Sequence, residues 1–168
     1  MSDYIVKAKS AHYFWSPYVF IEYAEDFFEA SNAHESSKKF SPVKYYLVCH
    51  SIELSLKAFL LLKGVSKNEI RSRSLGHNLS NIIEKCLSLG LEETVQITDH
   101  QKSLLTELNE WYSRKGFEYF EVENLAAGAG DLPDVILAQE LATLLINNLR
   151  DPCKNEANKP YKSLESDA

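Results

Sequence analysis

A chain of 168 residues, 45% apolar and 25% charged, is long enough to bury one sizeable core, too short for two domains, and too apolar to stay unfolded. Its net charge of −6 argues against general binding to the phosphate backbone of DNA, which a basic surface would favour. Two clusters run against that balance, Lys67, Arg71 and Arg73, and Lys38, Lys39 and Lys44. Each reads either as a solvated loop or as a local basic patch.

In chain order, residues 1–11 are irregular or weakly helical. A first helix is predicted from about 16 to 34, with Ser16 as its cap and Pro17 at the first helical position. Val19, Phe20, Tyr23, Ala24, Phe27 and Phe28 recur there at three- and four-residue steps. The polar segment Asn32 to Phe40 is a loop. Ser41-Pro42 opens a second helix that Gly64 closes. A third is predicted from about 78 to 89, ended by Gly90, and a fourth from Thr98, whose partner Gln101 completes a capping box, to about Tyr112. Phe117 to Val122 reads as a short extended piece, followed by the glycine- and alanine-rich run Ala126 to Gly130. A fifth helix from about Pro133 to Arg150 lines up Val135, Ile136, Ala138, Leu141, Ala142, Leu145 and Leu149. The expected fold is all-α, an antiparallel helical bundle of four main helices plus a shorter accessory one, over residues 1–150. Residues 151–168 are charged and polar and read as a disordered tail.

The three cysteines, Cys49, Cys86 and Cys153, show neither a CxxC pair nor a zinc spacing. Reduced, buried thiols suit a cytoplasmic protein. No signal peptide is read at the N-terminus, and His50, Glu53 and Lys57 mark the longest apolar stretch as a core helix and not a membrane span.

The chemistry concentrates on the second helix. At about 100° per residue, Val48, Ile52, Leu56 and Phe59 share one side, and Val43, Leu47, Leu54 and Leu61 another. A helix apolar on two sides is expected to thread the middle of the bundle. Between the two sides, within about 60°, Tyr46, His50, Glu53 and Lys57 stack along one line. Two readings follow: Glu53 and Lys57 pair internally while the others bond to neighbouring helices, or the strip lines a binding groove or a dimer seam. Burying such groups unpaired costs about 1–3 kcal/mol each, and more for charges, so something must satisfy them.

The run Ser51-Ile52-Glu53-Leu54-Ser55-Leu56-Lys57-Ala58-Phe59-Leu60, then Gly64, then Gly76-His77-Asn78-Leu79, resembles HEPN domains. More narrowly, it resembles those with a Glu-x-x-x-Lys-Ala helix followed by a Gly-His-Asp-Leu turn. Leu108 to Tyr112 with Arg114 is similar to a Tyr and Arg-Tyr region further along such chains. The resemblance spans roughly residues 15–150. It implies a helical bundle, often a homodimer, acting around RNA, toxin–antitoxin pairs or phage defence. Nuclease members cleave RNA without a metal, using an Arg and a following His. Arg71 and His77, with five residues between them, fit that spacing, although Ser72 follows Arg71 where the family usually has Asn, Asp or His. An imidazole moves protons near neutral pH and a guanidinium clamps phosphate, so the chemistry is sound.

Two functions stand side by side. One is a nucleotide-, RNA- or protein-binding module that meets its ligand, or a partner such as an antitoxin, at Tyr46, His50, Glu53 and Lys57. The other is a metal-independent ribonuclease using Arg71 and His77. No cofactor or metal is expected. Phosphate loops, Gly-x-Ser-x-Gly elbows, His-Glu-x-x-His and a basic recognition helix are all missing.

Overall fold

The computed structural model describes residues 16–37, 40–119 and 132–157. Among them every regular element is a helix: α1 (Pro17–Ala33), α2 (Pro42–Leu62), α3 (Lys67–Ile70), α4 (Leu79–Ser88), a 3-10 turn (Leu91–Glu93), α5 (Asp99–Tyr112) and α6 (Val135–Ala157). The all-helical bundle expected from the periodicity is therefore present, as five helices of at least ten residues and the one-turn α3.

Local chemistry sets most of the boundaries. Ser16 and Ser41 accept the amide hydrogens of Val19 and Lys44, and a proline follows each serine at the first helical position. Thr98 and Gln101 close a reciprocal capping box at α5. Gly64 ends α2 at φ +80°, where Val65 N–H reaches Leu60 O at 2.9 Å and Gly64 N–H reaches Leu61 O at 3.0 Å.

Four side-chain contacts fix the directions of the long helices. His34 meets Ser41 and Ser51 donates to Ala24 O, so α1 and α2 form an antiparallel hairpin. Gln139 donates to Asn32 at 2.6 Å and Arg150 pairs with Glu25, so α6 is also antiparallel to α1 and hence runs parallel to α2. The turn before α4, α4 itself and α5 cover the remaining side of α2. On α2, Val48, Ile52, Leu56 and Phe59 are fully buried. The other apolar side is covered only in part: Leu47, Leu54 and Leu61 are half-buried and Val43 is 48% exposed. By length and composition α2 could cross a membrane, but 67% of the apolar window is buried inside the bundle.

Three expectations need correction. The stretch expected as a loop at 67–70 forms α3, because Ser66 caps Glu69 N–H and Ile70 drops into the core. The helix expected to stop at Arg150 continues through Asp151-Pro152 to Ala157. Pro152 lacks an amide hydrogen, a loss of order 3 kcal/mol inside a helix, yet Leu149 and Cys153 extend the same buried face one turn further. Only 158–168 of the expected tail lies outside the described residues. Finally, Phe117 to Tyr119 are not extended but belong to turns, with Glu118 N–H and Tyr119 N–H both reaching Lys115 O. The rest of that expected piece, 120–122, and the Ala126–Gly130 run lie outside the described residues.

The turn after α5 repeats the closure at Gly64 without a glycine. Gly116 N–H reaches Trp111 O at 2.8 Å, Lys115 N–H reaches Tyr112 O at 3.0 Å, and Lys115 takes φ +64°. A side chain in that conformation is strained. Lys115→Gly is expected to stabilise the fold by about 1 kcal/mol, raising Tm by about 2–4 °C in a calorimetric scan. An unchanged or lower Tm would mean that the Lys115–Glu118 pair outweighs the strain.

Candidate functional site

The polar strip of α2 converges on one carboxylate. Glu53 is 2% exposed and is reached by groups from three directions. Lys57, one turn along α2, donates to Oε1 at 2.6 Å. Tyr112, the last residue of α5, donates its hydroxyl to Oε2 at 2.7 Å, and His77, in the turn before α4, places Nδ1 2.9 Å from the same oxygen. Lys57 also donates to Gly76 O at 2.6 Å, so the residue beside His77 is held by the same ammonium. The backbone locks this arrangement: Asn78 caps α4 and Asn109 of α5 accepts Leu79 N–H at 2.8 Å.

Donor and acceptor capacity fixes where the protons sit. A carboxylate only accepts, so His77 carries its hydrogen on Nδ1. The Tyr112 hydroxyl has one proton and gives it to Glu53. The 2.9 Å contact between Tyr112 and His50 Nδ1 is therefore a donation from His50. Among the described residues no hydrogen bond engages Nε2 of either ring, so each neutral imidazole keeps that lone pair for something else. His77 is about half exposed and His50 is mostly covered. Phe27 of α1 meets the His50 ring edge-on at 4.4 Å, and Tyr46 stacks parallel to it at 5.7 Å and 8°.

The electrostatics follow from these contacts. Burial pushes the Glu53 carboxyl up, but the hydrogen bonds from His77, Lys57 and Tyr112 and the charge of Lys57 together hold it below the usual carboxylate range. The two imidazoles move apart. The bond to Glu53 raises His77 against a smaller opposing effect of burial, whereas burial lowers His50 more than Glu53 raises it. Burial, and then the Glu53 charge, drives the Tyr112 phenol far up, so it stays a donor. Burial likewise raises the thiols, that of Cys153 to about 12, and none of Cys49, Cys86 and Cys153 is paired or reactive.

Of the residues singled out in the sequence, Tyr46, His50, Glu53, Lys57 and His77 come together. Arg71 stands exposed at the C-cap of α3, and the hydrogen bonds to Glu53 come from Lys57, His77 and Tyr112 and not from an arginine. Tyr112 was the missing member. Its signal was available, because Leu105, Leu108 and Tyr112 share the buried face of α5 and a buried phenol needs a partner. Comparison with known proteins finds no matching family model, no similar curated protein and no similar solved structure.

Removing the partners one at a time should grade the stability loss. Tyr112→Phe deletes the bond to the charged Glu53 and the one accepted from His50, and is expected to cost about 1–3 kcal/mol in urea unfolding. Glu53→Ala strands the Lys57 ammonium and should cost more, about 3–5 kcal/mol. Equal losses would show that the carboxylate does not organise the cluster.

The pH dependence has a definite sign. His77 binds its proton more tightly in the folded chain, so its contribution is complete below its ordinary value of 6.5 and fades as pH rises through the raised native value. His50 does the reverse, its contribution being complete above 6.5 and fading as pH falls through the lowered native value. Urea unfolding in EDTA across this range should show less stability on the alkaline side in the wild type, and His77→Ala should remove that alkaline loss.

Proposed function

We propose that this chain is a HEPN-like helical domain of the cytoplasm that binds the phosphate of a nucleotide or a single RNA strand, working as a homodimer. The observation that carries this reading is the half-exposed His77, anchored through Nδ1 on a buried carboxylate with its Nε2 edge unengaged among the described residues. Once protonated, a form that the bond to Glu53 favours, an imidazole fixed in this way presents its Nε2–H to a phosphate oxygen as a charged donor whose orientation has already been set. The Glu-x-x-x-Lys spacing and the Gly-His-Asn-Leu turn, the residues that carry the HEPN resemblance, are the same ones that meet in the cluster. The half-covered row Val43, Leu47, Leu54 and Leu61 on α2 supports self-association, and three unpaired, buried thiols suit a reducing compartment.

One observation favours the ribonuclease alternative. His50 and His77 converge on one carboxylate, an arrangement that orients two imidazoles for proton transfer. In that reading His77 is the proton-transfer group and Arg71, exposed at the C-cap of α3, stabilises the phosphate.

A single experiment addresses both. Fluorescein-labelled single-stranded RNA is titrated with the protein in EDTA, beside His77→Ala, and the RNA is then run on a denaturing gel. Intact RNA bound at least about fivefold more tightly by the wild type supports the binding module. Cleavage that the variant lacks moves the conclusion to the ribonuclease, and equal binding with intact RNA in both removes the two readings together, leaving a protein partner such as an antitoxin as the ligand to seek.

A further inference from the structure

We infer that His50, Glu53 and His77 form a binding site for one divalent transition-metal ion of the zinc class. The inference does not rest on RNA or nucleotide binding. His50 and Glu53 are three residues apart on α2 and His77 lies 24 residues beyond Glu53, so no short ligand spacing announces the set. The fold nonetheless brings His50 Nδ1, a Glu53 oxygen and His77 Nδ1 within 4.8 Å of one another.

Two imidazoles and a carboxylate are a donor set zinc takes readily, with a fourth position left for water or a substrate. Donors around a tetrahedral zinc stand about 3.3 Å apart, given bonds of about 2.0–2.1 Å. Here Glu53 Oε2 lies 2.9 Å from His77 Nδ1 and 3.9 Å from His50 Nδ1. Side-chain adjustments of well under an ångström bring both Glu53 pairs to the coordination distance, and the two Nδ1 atoms, within 4.8 Å of each other, close by up to about 1.5 Å through rotation of the half-exposed His77 ring. Lys57 holds Oε1, which commits the carboxylate to single-oxygen coordination through Oε2. The Tyr112 hydroxyl bridges Oε2, at 2.7 Å, and His50 Nδ1, at 2.9 Å, so an entering ion displaces its bond from His50 while its bond to Oε2 remains to orient the carboxylate. Access is from the His77 side, whose ring is about half exposed, while Phe27 and Tyr46 wall the His50 side.

The proton balance is simple. In the metal-free cluster both rings carry hydrogen on Nδ1. When the ion takes the Nδ1 lone pair, each neutral ring carries its proton on Nε2 instead, so no proton is released from a neutral ring. The ammonium of Lys57 opposes a second positive charge nearby, which favours an ion that forms strong bonds to nitrogen over Mg2+.

The test uses the full chain, stripped with EDTA, desalted and titrated with Zn2+ in a calorimeter with no nucleic acid present, with Mg2+ as a control. One Zn2+ per chain is expected. His50→Ala and His77→Ala should each weaken binding at least about tenfold while His100→Ala leaves it unchanged. Circular dichroism establishes that each variant is folded. Independently, Co2+ added to the wild type should give the visible absorption of a four-coordinate site. Failure to take up Zn2+, uptake unchanged in both histidine variants, equal weakening by His100→Ala, or a Co2+ spectrum of the free ion would overturn the inference. The RNA titration, performed in EDTA, succeeds or fails independently of this result.

Discussion

Everything distinctive in this molecule depends on keeping one carboxylate charged where water hardly reaches. Glu53 sits midway along α2, between the fully buried Ile52 and Leu56, and an ionised group there is tolerated only if its oxygens are fully occupied. Three donors accomplish this, and they come from α2 itself, from the turn before α4 and from the end of α5. The charge therefore does more than persist inside the core. It acts as a registration point, because α4 and α5 can satisfy it only when both are seated in one particular position along α2. Apolar side chains alone tolerate sliding by a turn, and a hydrogen-bonded charge does not.

That same requirement explains why the chemistry gathers at the surface end of the cluster. Lys57 is occupied twice, by Glu53 and by Gly76 O, and Tyr112 serves as both donor and acceptor. The imidazoles are the members that retain an unengaged atom after the carboxylate has been satisfied. Their shared anchor also makes them unequal, one ring being exposed and drawn towards its charged form, the other covered and held away from it. Two otherwise similar side chains thus acquire different proton affinities from their surroundings alone.

Much of this architecture could be read from the chain because its signals are local. Ser16-Pro17, Ser41-Pro42, the Thr98/Gln101 pair and the glycines at 64 and 90 act on backbone groups within a few residues, so their effect does not wait for the tertiary structure. The alignment of Tyr46, His50, Glu53 and Lys57 was legible for the same reason, being a property of a single helix. What was hidden depends on distant partners. Ile70 makes α3 worth forming, and Cys153 carries α6 past a proline, through burial that no window of neighbouring residues reveals. Tyr112 joins the cluster from 59 residues away. The closing turn at Lys115 carried no local signal, since its left-handed residue is not the glycine that normally marks such a turn.

The direction of α6 has a consequence for how the protein is made. α6 packs against both α1 and α2, and its face Ala138, Leu141, Ala142, Leu145, Ile146 and Leu149 completes the interior they begin. A chain emerging from the ribosome exposes the greasy flank of α2 well before that closing helix is synthesised, about 70 residues and several seconds later at ordinary elongation rates. During that interval the hairpin is a natural client for a holdase chaperone, and stalled translation short of residue 135 would leave a species prone to clump.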